Sequence, residues 1–322
     1  MDALSEVLKV IQIESAFFFT GEFSAPWSFH SPESCKLAPY IQRAEGHVIV
    51  YHLLTEGRAI AKLEDNTRLS LEAGDIVIFP HGNAHFIQSG DVARPMEGES
   101  ALQQIFADGL KLARMGGGGD VTRFVCGYMV CESDLSGLLL TGLPPVFKVN
   151  IREDESGRWL EQSIRYSITQ AGVSDSGSKA VLAKLCETLF ADTLRRYVAA
   201  SPLQQRTWLA GVLDPEIGKV LALIHRQPAE PWTIAQLAQE AGMSRSVLAA
   251  RFRHYLGEPP VAYLTRWRLL LGARMLSKSS HSVARIASEV GYESEAAFNR
   301  AFKRQFGDPP ARYRMRAKSA TV

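Results

Sequence analysis

The sequence predicts an α+β chain: an N-terminal antiparallel β-barrel with flanking helices, then a C-terminal all-α domain of two helix-turn-helix units joined by a linker helix. Three observations carry that prediction. Between Thr233 and Tyr313 nearly the same pattern occurs twice, about 50 residues apart. Between Ser15 and about Val149 the chain breaks into short runs rich in Val, Ile, Phe and Tyr, punctuated by Gly and Pro. Between these regions lie two stretches with apolar residues at helical intervals. The expected divisions are 1–150 for the barrel, 151–208 for a helical connector and linker, and 209–322 for the duplicated domain.

From the N-terminus, Asp2 to Gln12 reads as a short amphipathic helix with Leu4, Val7, Leu8 and Ile11 on one side. Strands are expected at Ala16–Phe19, His47–Leu54, Ala59–Leu63, Thr67–Leu71, Ile76–Phe79 and Phe124–Val130. Asp91 to Asp120, with its run Gly116–Gly119, reads as a mobile insertion in which Ala101–Leu112 holds some order of its own. Leu143-Pro-Pro-Val146 is expected to lead the chain out of the barrel.

One segment is sharper: Gly74-Asp75-Ile-Val-Ile-Phe-Pro80-His81-Gly82-Asn-Ala-His85. Gly-Asp makes a turn, the apolar run a strand, and Pro-x-Gly a second turn that presents His85 to the next strand. This resembles the second motif of the cupin barrel, and Leu54-Thr-Glu-Gly57 resembles the end of its first. The resemblance spans roughly 140 residues and implies a cupin-like sensor domain, with His52 and His85 as effector-pocket candidates. Metal-binding cupins place two His and a Glu in the first motif, but here the Glu position falls near Val50. His47 and His52 are five apart and so point to opposite faces of one strand, which lets at most one of them share the interior with His85. A metal site needs three or four convergent ligands. His47, His52, His81 and His85 are therefore a poor metal set, with His81 and His85 reading as turn or pocket-rim residues, and no cofactor is implied.

Gly157 to Ala171 (Trp159, Leu160, Ile164, Ile168) and Ser178 to Ala200 follow as helices. The second carries a wide apolar face of Val181, Leu182, Leu185, Cys186, Leu189, Phe190, Leu194 and Tyr197. One side of it should pack on the barrel and leave part of the stripe for another helix. Ser201 to Arg206 reads as a linker and Pro215 to Arg226 as the first helix of the duplicated domain.

The first copy reads Ile234-Ala-Gln-Leu-Ala-Gln-Glu-Ala-Gly242-Met-Ser244, then a second helix through Phe252, closing with Gly257-Glu-Pro-Pro260 and Tyr263. The second reads Val283-Ala-Arg-Ile-Ala-Ser-Glu-Val-Gly291-Tyr-Glu-Ser294, then a helix through Phe302, closing with Gly307-Asp-Pro-Pro310 and Tyr313. Ser244 and Ser294 are N-caps, and Val247, Leu248 and Phe252 or Ala297, Phe298 and Phe302 fall at core spacing. Val261 to Leu276 reads as one uninterrupted helix of about 24 Å, enough to set the two second helices about one DNA turn apart, roughly 34 Å. The region resembles the AraC/XylS-type transcriptional regulators over about its last 110 residues, down to Gly291-Tyr-Glu-Ser294, Phe298, Phe302-Lys303, Gly307, Pro310 and Tyr313-Arg314. That resemblance implies double-stranded DNA as a partner, and a homodimer made through the connector helices.

The first turns of each second helix face base edges. Base-contact candidates are Arg245, Ser246, Ala249 and Ala250 in the first copy and Glu295, Ala296, Asn299 and Arg300 in the second. Arg suits guanine, Asn adenine and Glu the cytosine amino group, whereas Ala249 and Ala250 offer at most contact with a thymine methyl. Arg251, Arg253, Lys303, Arg304, Arg312 and Arg314 are phosphate-contact candidates. Charge agrees with this assignment. The chain is only +2 overall, but 209–322 carries 17 Lys/Arg against 9 Asp/Glu, a net +8 beside −6 for the first 208 residues.

No apolar run reaches the ~18 residues of a membrane span, and Met1-Asp-Ala-Leu-Ser-Glu lacks a signal-peptide core. Cys35, Cys126, Cys131 and Cys186 show no paired metal spacing and read as reduced cytoplasmic thiols. The sequence thus points to a DNA-binding, non-enzymatic regulator controlled by a small molecule in the barrel. Two alternatives remain open at this point: a metal-dependent cupin enzyme with a DNA-binding tail, and a regulator that responds to oxidation of Cys126 and Cys131.

Overall fold

A computed structural model describes residues 3–10, 13–37, 47–89, 96–97, 113–131, 140, 142–171, 178–200 and 208–319. Two compact units emerge. The first holds the strands β1 (Ile13–Ser24), β2 (Trp27–Ser31), β3 (His47–Glu56), β4 (Arg58–Leu63), β5 (Arg68–Glu72), β6 (Asp75–Phe79), β7 (His85–Ser89), β8 (Met96–Glu97), β9 (Ala113–Gly116), β10 (Val121–Cys131) and β11 (Phe147–Asn150). They form a six-stranded sheet, β11-β6-β3-β10-β1-β9, and a five-stranded sheet, β5-β4-β7-β2-β8. Pairing is antiparallel except for the short β1/β9 and β2/β8 ladders.

Alternation along β3 and β10 shows how the core is built. Val50 and Leu54 join Phe124, Cys126, Tyr128 and Val130 in the inter-sheet core, with Phe19, Phe23, Trp27, Phe29 and Phe79. Ile49, Tyr51 and Leu53, on the opposite face of β3, are also fully buried. There the helix Ser178–Ala200 packs on the sheet, and Tyr51 Oη lies 3.6 Å from Cys186 Sγ. A sheet covered on both faces gives a continuous apolar run instead of clean alternation.

The connector helices α2 (Glu155–Ala171) and α3 (Ser178–Ala200) belong to this first unit. Leu182, Cys186, Leu189, Phe190, Leu194 and Val198 of α3 are buried against β1, β11 and α2, so most of the apolar stripe is used within the chain. Arg152 fastens the start of α2 by donating to Glu161 and to the Thr55 carbonyl. Of that stripe Val181 stays exposed, and further exposed apolar surface lies on α2 at Trp159 and Tyr166, which are 62% and 68% accessible.

The second unit contains α1 (Ala3–Val10), α4 (Trp208–Leu213), α5 (Pro215–Arg226), α6 (Ile234–Glu240), α7 (Arg245–Leu256), α8 (Pro260–Lys278), α9 (Val283–Glu289), α10 (Glu295–Phe306) and α11 (Pro310–Ser319). Both copies read from the sequence are present here, with caps and turns that hold their helices. Thr233 builds a capping box with Gln236. Asp214 caps α5, ahead of Pro215 at its first position. Gly242 and Gly291 turn the chain at φ +66° and +88°, a region that L side chains resist.

Three expectations are corrected. The N-terminal helix, expected with the barrel, packs on α5 in the helical unit, because Ala3 and Leu4 bury their apolar side chains there. The glycine run is not a loose insertion: β9 pairs with β1, and Gly117 and Gly119 donate to the carbonyls of Ser24 and Ala25. Ala101–Leu112 lies outside the described residues, as does the linker 201–206. Finally, Leu143–Val146 does not leave the sheet, since β11 returns immediately to pair with β6.

Candidate functional site

The two recognition helices are held alike. Ser244 Oγ accepts from the Val247 amide at 3.3 Å and Ser294 Oγ from the Ala297 amide at 3.2 Å. Leu248 and Phe252, and their counterparts Phe298 and Phe302, are fully buried. Behind the first copy, Tyr263 accepts from Trp208 Nε1 at 2.9 Å and lies 2.8 Å from His225 Nε2. Burial holds the His225 imidazole at a pKa of about 3, so it is neutral. Of this buried triad the repeat flags Tyr263 alone, the counterpart of Tyr313, whereas Trp208 and His225 carry no motif. Behind the second copy stands an aromatic cluster of Phe298, Phe302, Phe306 and Tyr313.

The outward faces differ. On α10, Glu295, Ala296 and Arg300 are exposed and Asn299 is half-buried. On α7, Arg245, Ser246 and Ala250 are exposed and Ala249 is half-buried, but Ser246 Oγ sits 3.1 Å from the cap hydroxyl of Ser244. Val247, assigned by its spacing to the core, is 47% exposed instead. It follows Ser246 on the outer side of the first turn, while Leu248 and Phe252 are the fully buried side chains of α7.

The six candidate phosphate cations also divide. Arg253, Lys303 and Arg304 are exposed. Arg251 turns inward and bonds Asp214 and Glu216 across α5, so it braces the unit and does not stand free. Arg314 is half-buried and donates to the His281 carbonyl at 2.5 Å, while Arg312 stays exposed and within 3.5 Å of Asp308. Sequence position showed neither inward partner, because both lie more than thirty residues away.

In the β unit the structure brings together three of the singled-out residues. His52 Nε2 lies 2.8 Å from His85 Nε2, and His52 Nδ1 lies 2.9 Å from Cys126 Sγ. His85 Nδ1 lies 2.7 Å from the Asn83 carbonyl. That carbonyl only accepts, which fixes the chain: His85 donates from Nδ1 and accepts at Nε2, His52 donates from Nε2, and its Nδ1 accepts from the Cys126 thiol. Burial favours the uncharged forms throughout. It lowers the His52 and His85 pKa values, His85 to about 3, and raises that of Cys126. His85 is therefore an interior group stacked on Phe79, not a pocket-rim residue.

His47 lies on the other face of β3, with Nε2 2.7 Å from the Pro80 carbonyl, and His81 bonds the Leu143 carbonyl. His52 spends its two nitrogens on different partners, so His52, His85 and Cys126 do not converge on one point. Among the described residues no group of three or more His, Cys, Asp and Glu is arranged to hold a metal ion. Cys126 and Cys131, five positions apart on one strand, lie roughly 16 Å from each other and face opposite sides, so they cannot pair with one another.

Comparison with known proteins agrees with both halves. A cupin family model matches residues 2–199, more than half the chain, and a helix-turn-helix domain model matches 237–316. The chain is 30% identical over 322 residues to the HTH-type transcriptional regulator AlkR of Acinetobacter baylyi, an alignment covering 98% of this chain and 100% of that one. It is 35% identical over 319 residues to a putative AraC-like transcription regulator of Streptomyces lividans, covering 98% of each. Among solved structures, the DNA-binding domain of AdpA in complex with a target DNA is 33% identical over 33% of this chain and 95% of that chain, with a TM-score of 0.31. A duplicated helix-turn-helix unit, a two-sheet N-terminal domain and full-length relatives of this kind lead to one conclusion: the chain belongs to the AraC-type transcriptional regulators and carries an N-terminal cupin domain.

Proposed function

We propose that this regulator binds a specific double-stranded DNA operator through α7 and α10, acts as a homodimer in the cytoplasm, and is controlled by a small molecule held between its β-sheets. The observation that carries the reading is the pair of capped recognition helices on one unit, each with an exposed first turn. Arg300, Asn299 and Glu295 supply hydrogen-bond readout, each good base pairing being worth roughly 1–3 kcal/mol of discrimination. Arg253, Lys303 and Arg304 are the exposed cations suited to phosphate.

The inter-sheet core favours an apolar effector with a polar handle. It consists of packed aromatic and aliphatic side chains, with the neutral His52–His85–Cys126 chain among them. Trp27 Nε1 is buried there without a hydrogen-bond partner among the described residues. The exposed Trp159 and Tyr166, seven residues apart on α2, supply a helix face suited to a second copy. No catalytic role is assigned to any residue.

The test uses the full chain on DNA from upstream of its own gene. Compounds that raise its unfolding temperature are then added to the binding reaction, and the stoichiometry on DNA is read by mass photometry. The reading expects at least one such compound to change operator affinity, and two protomers per operator. It is overturned if every stabilising compound leaves affinity and transcription unaltered.

A further inference from the structure

The two recognition helices are copies, yet their outward chemistry is not. Three of the outward positions on α10 carry side-chain donors or acceptors: Glu295, Asn299 and Arg300. The matching positions on α7 are Arg245, Ala249 and Ala250, and next to them Val247 stands 47% exposed where the second copy has the half-buried Ala297. A β-branched side chain left in water on the first turn of a recognition helix contributes nothing to the core, which Leu248 and Phe252 already fill. Val247 and Ala250 lie three apart and so share one side of α7. Ser246 Oγ is held 3.1 Å from the cap hydroxyl, and Arg245 is the one charged side chain among the four outward positions of that helix.

In the major groove an apolar side chain has one distinctive target, the C5-methyl group that thymine presents and cytosine lacks. We infer that α7 reads its half-site through thymine C5-methyl groups, with Val247 as the specificity-determining contact and Ala250 beside it, whereas α10 reads by hydrogen bonds. This rests on the sequence-specific DNA binding proposed above. It divides the operator into a methyl-read half and a hydrogen-bond-read half, one major groove apart.

The experiment selects duplexes from a random library with the full-length protein, and repeats the selection with Val247→Ala and Arg300→Ala. The half-site whose consensus relaxes in Val247→Ala belongs to α7. Each half-site is then rebuilt with deoxyuridine in place of thymine, which removes the methyl groups and keeps every base-pair hydrogen bond. Wild-type affinity should fall about fourfold per contacted methyl in the α7 half-site, and Val247→Ala, which keeps only the Ala250 contact, should lose distinctly less between the thymine and deoxyuridine duplexes. Because Val247 is a surface residue, an unchanged unfolding temperature verifies that the variant is folded. Unchanged wild-type affinity on the deoxyuridine duplex overturns the inference, and so does an equal loss in Val247→Ala. A library that yields no preferred duplex overturns the operator reading itself, and this inference with it.

Discussion

The first and second helix-turn-helix copies share their scaffold and differ in what surrounds it. In both, a serine caps the recognition helix, a left-handed glycine makes the turn, and two apolar side chains fill the space beneath. The first copy leans on α4 and α5 through a buried Trp208–Tyr263–His225 triad, and Arg251 ties it to Asp214 and Glu216. The second leans on aromatic contacts with Tyr313 and on the close approach of Gly291 to Ala229. Duplication has kept what holds each helix in place and freed what surrounds and faces outward from it.

The contrast can be broken at several points. Phe302→Ala removes a fully buried ring from the second copy and should cost about 3–5 kcal/mol of unfolding free energy, read by chemical denaturation. Phe252→Ala should cost about as much in the first copy if the two cores are equivalent. The glycines are not equivalent. An alanine Cβ at position 291 would lie 2.6 Å from the Ala229 backbone, whereas at position 242 it meets nothing within 4 Å. Gly242→Ala should therefore cost only the left-handed backbone penalty, about 1–2 kcal/mol, and Gly291→Ala distinctly more, roughly 3 kcal/mol. Equal losses would contradict the tight turn of the second copy.

Acid should separate the copies next. His225 is neutral in the folded chain, with a pKa of about 3 against 6.5 when unfolded. The unfolded state binds the extra proton first, so this stability is full above pH 6.5 and is lost as pH falls from there toward 3. The slope approaches ~1.4 kcal/mol per pH unit. Native-state hydrogen exchange at pH 7 and pH 5, corrected for intrinsic rates, should show α5 and α7 losing about 2 kcal/mol of protection while α10 keeps its own. The smallest effects belong to the cations. Arg253→Ala should lower the salt slope of DNA binding by about one unit, and Arg251→Ala should leave that slope alone while costing about 0.5–1 kcal/mol of stability.

Much of this was legible in the sequence because it is local. Caps, turn glycines, helix periods and the repeat itself are set by residues within a few positions of one another, and α3 and α5 run from Ser178 to Ala200 and Pro215 to Arg226 as the spacing indicates. What escaped was decided by distant partners. Arg251 is a basic residue on a recognition helix until Asp214, thirty-seven positions earlier, claims it. The amphipathic pattern of α1 marks an apolar face but not which unit receives it. Val247 fits a helical core period, yet two residues suffice to fill the space beneath α7. The sequence places His52 and His85 together in the interior, but that Cys126 joins them depends on strand register, with Cys126 opposite His52 in the β10–β3 ladder. β2 lies outside the strands that the apolar runs indicate, yet it brings Ser31 opposite His85.

The most direct test is fluorescence anisotropy of the full-length protein on DNA from immediately upstream of its gene. Wild type and Arg300→Ala are titrated in parallel across a salt series, with a scrambled duplex as control. The account predicts that wild type prefers the upstream duplex, and that Arg300→Ala loses about tenfold or more on that duplex alone, in line with a base contact worth ~1–3 kcal/mol. Equal binding to both duplexes with only a steep salt dependence, or an Arg300→Ala loss that is the same on each, would contradict it and leave a nonspecific basic surface.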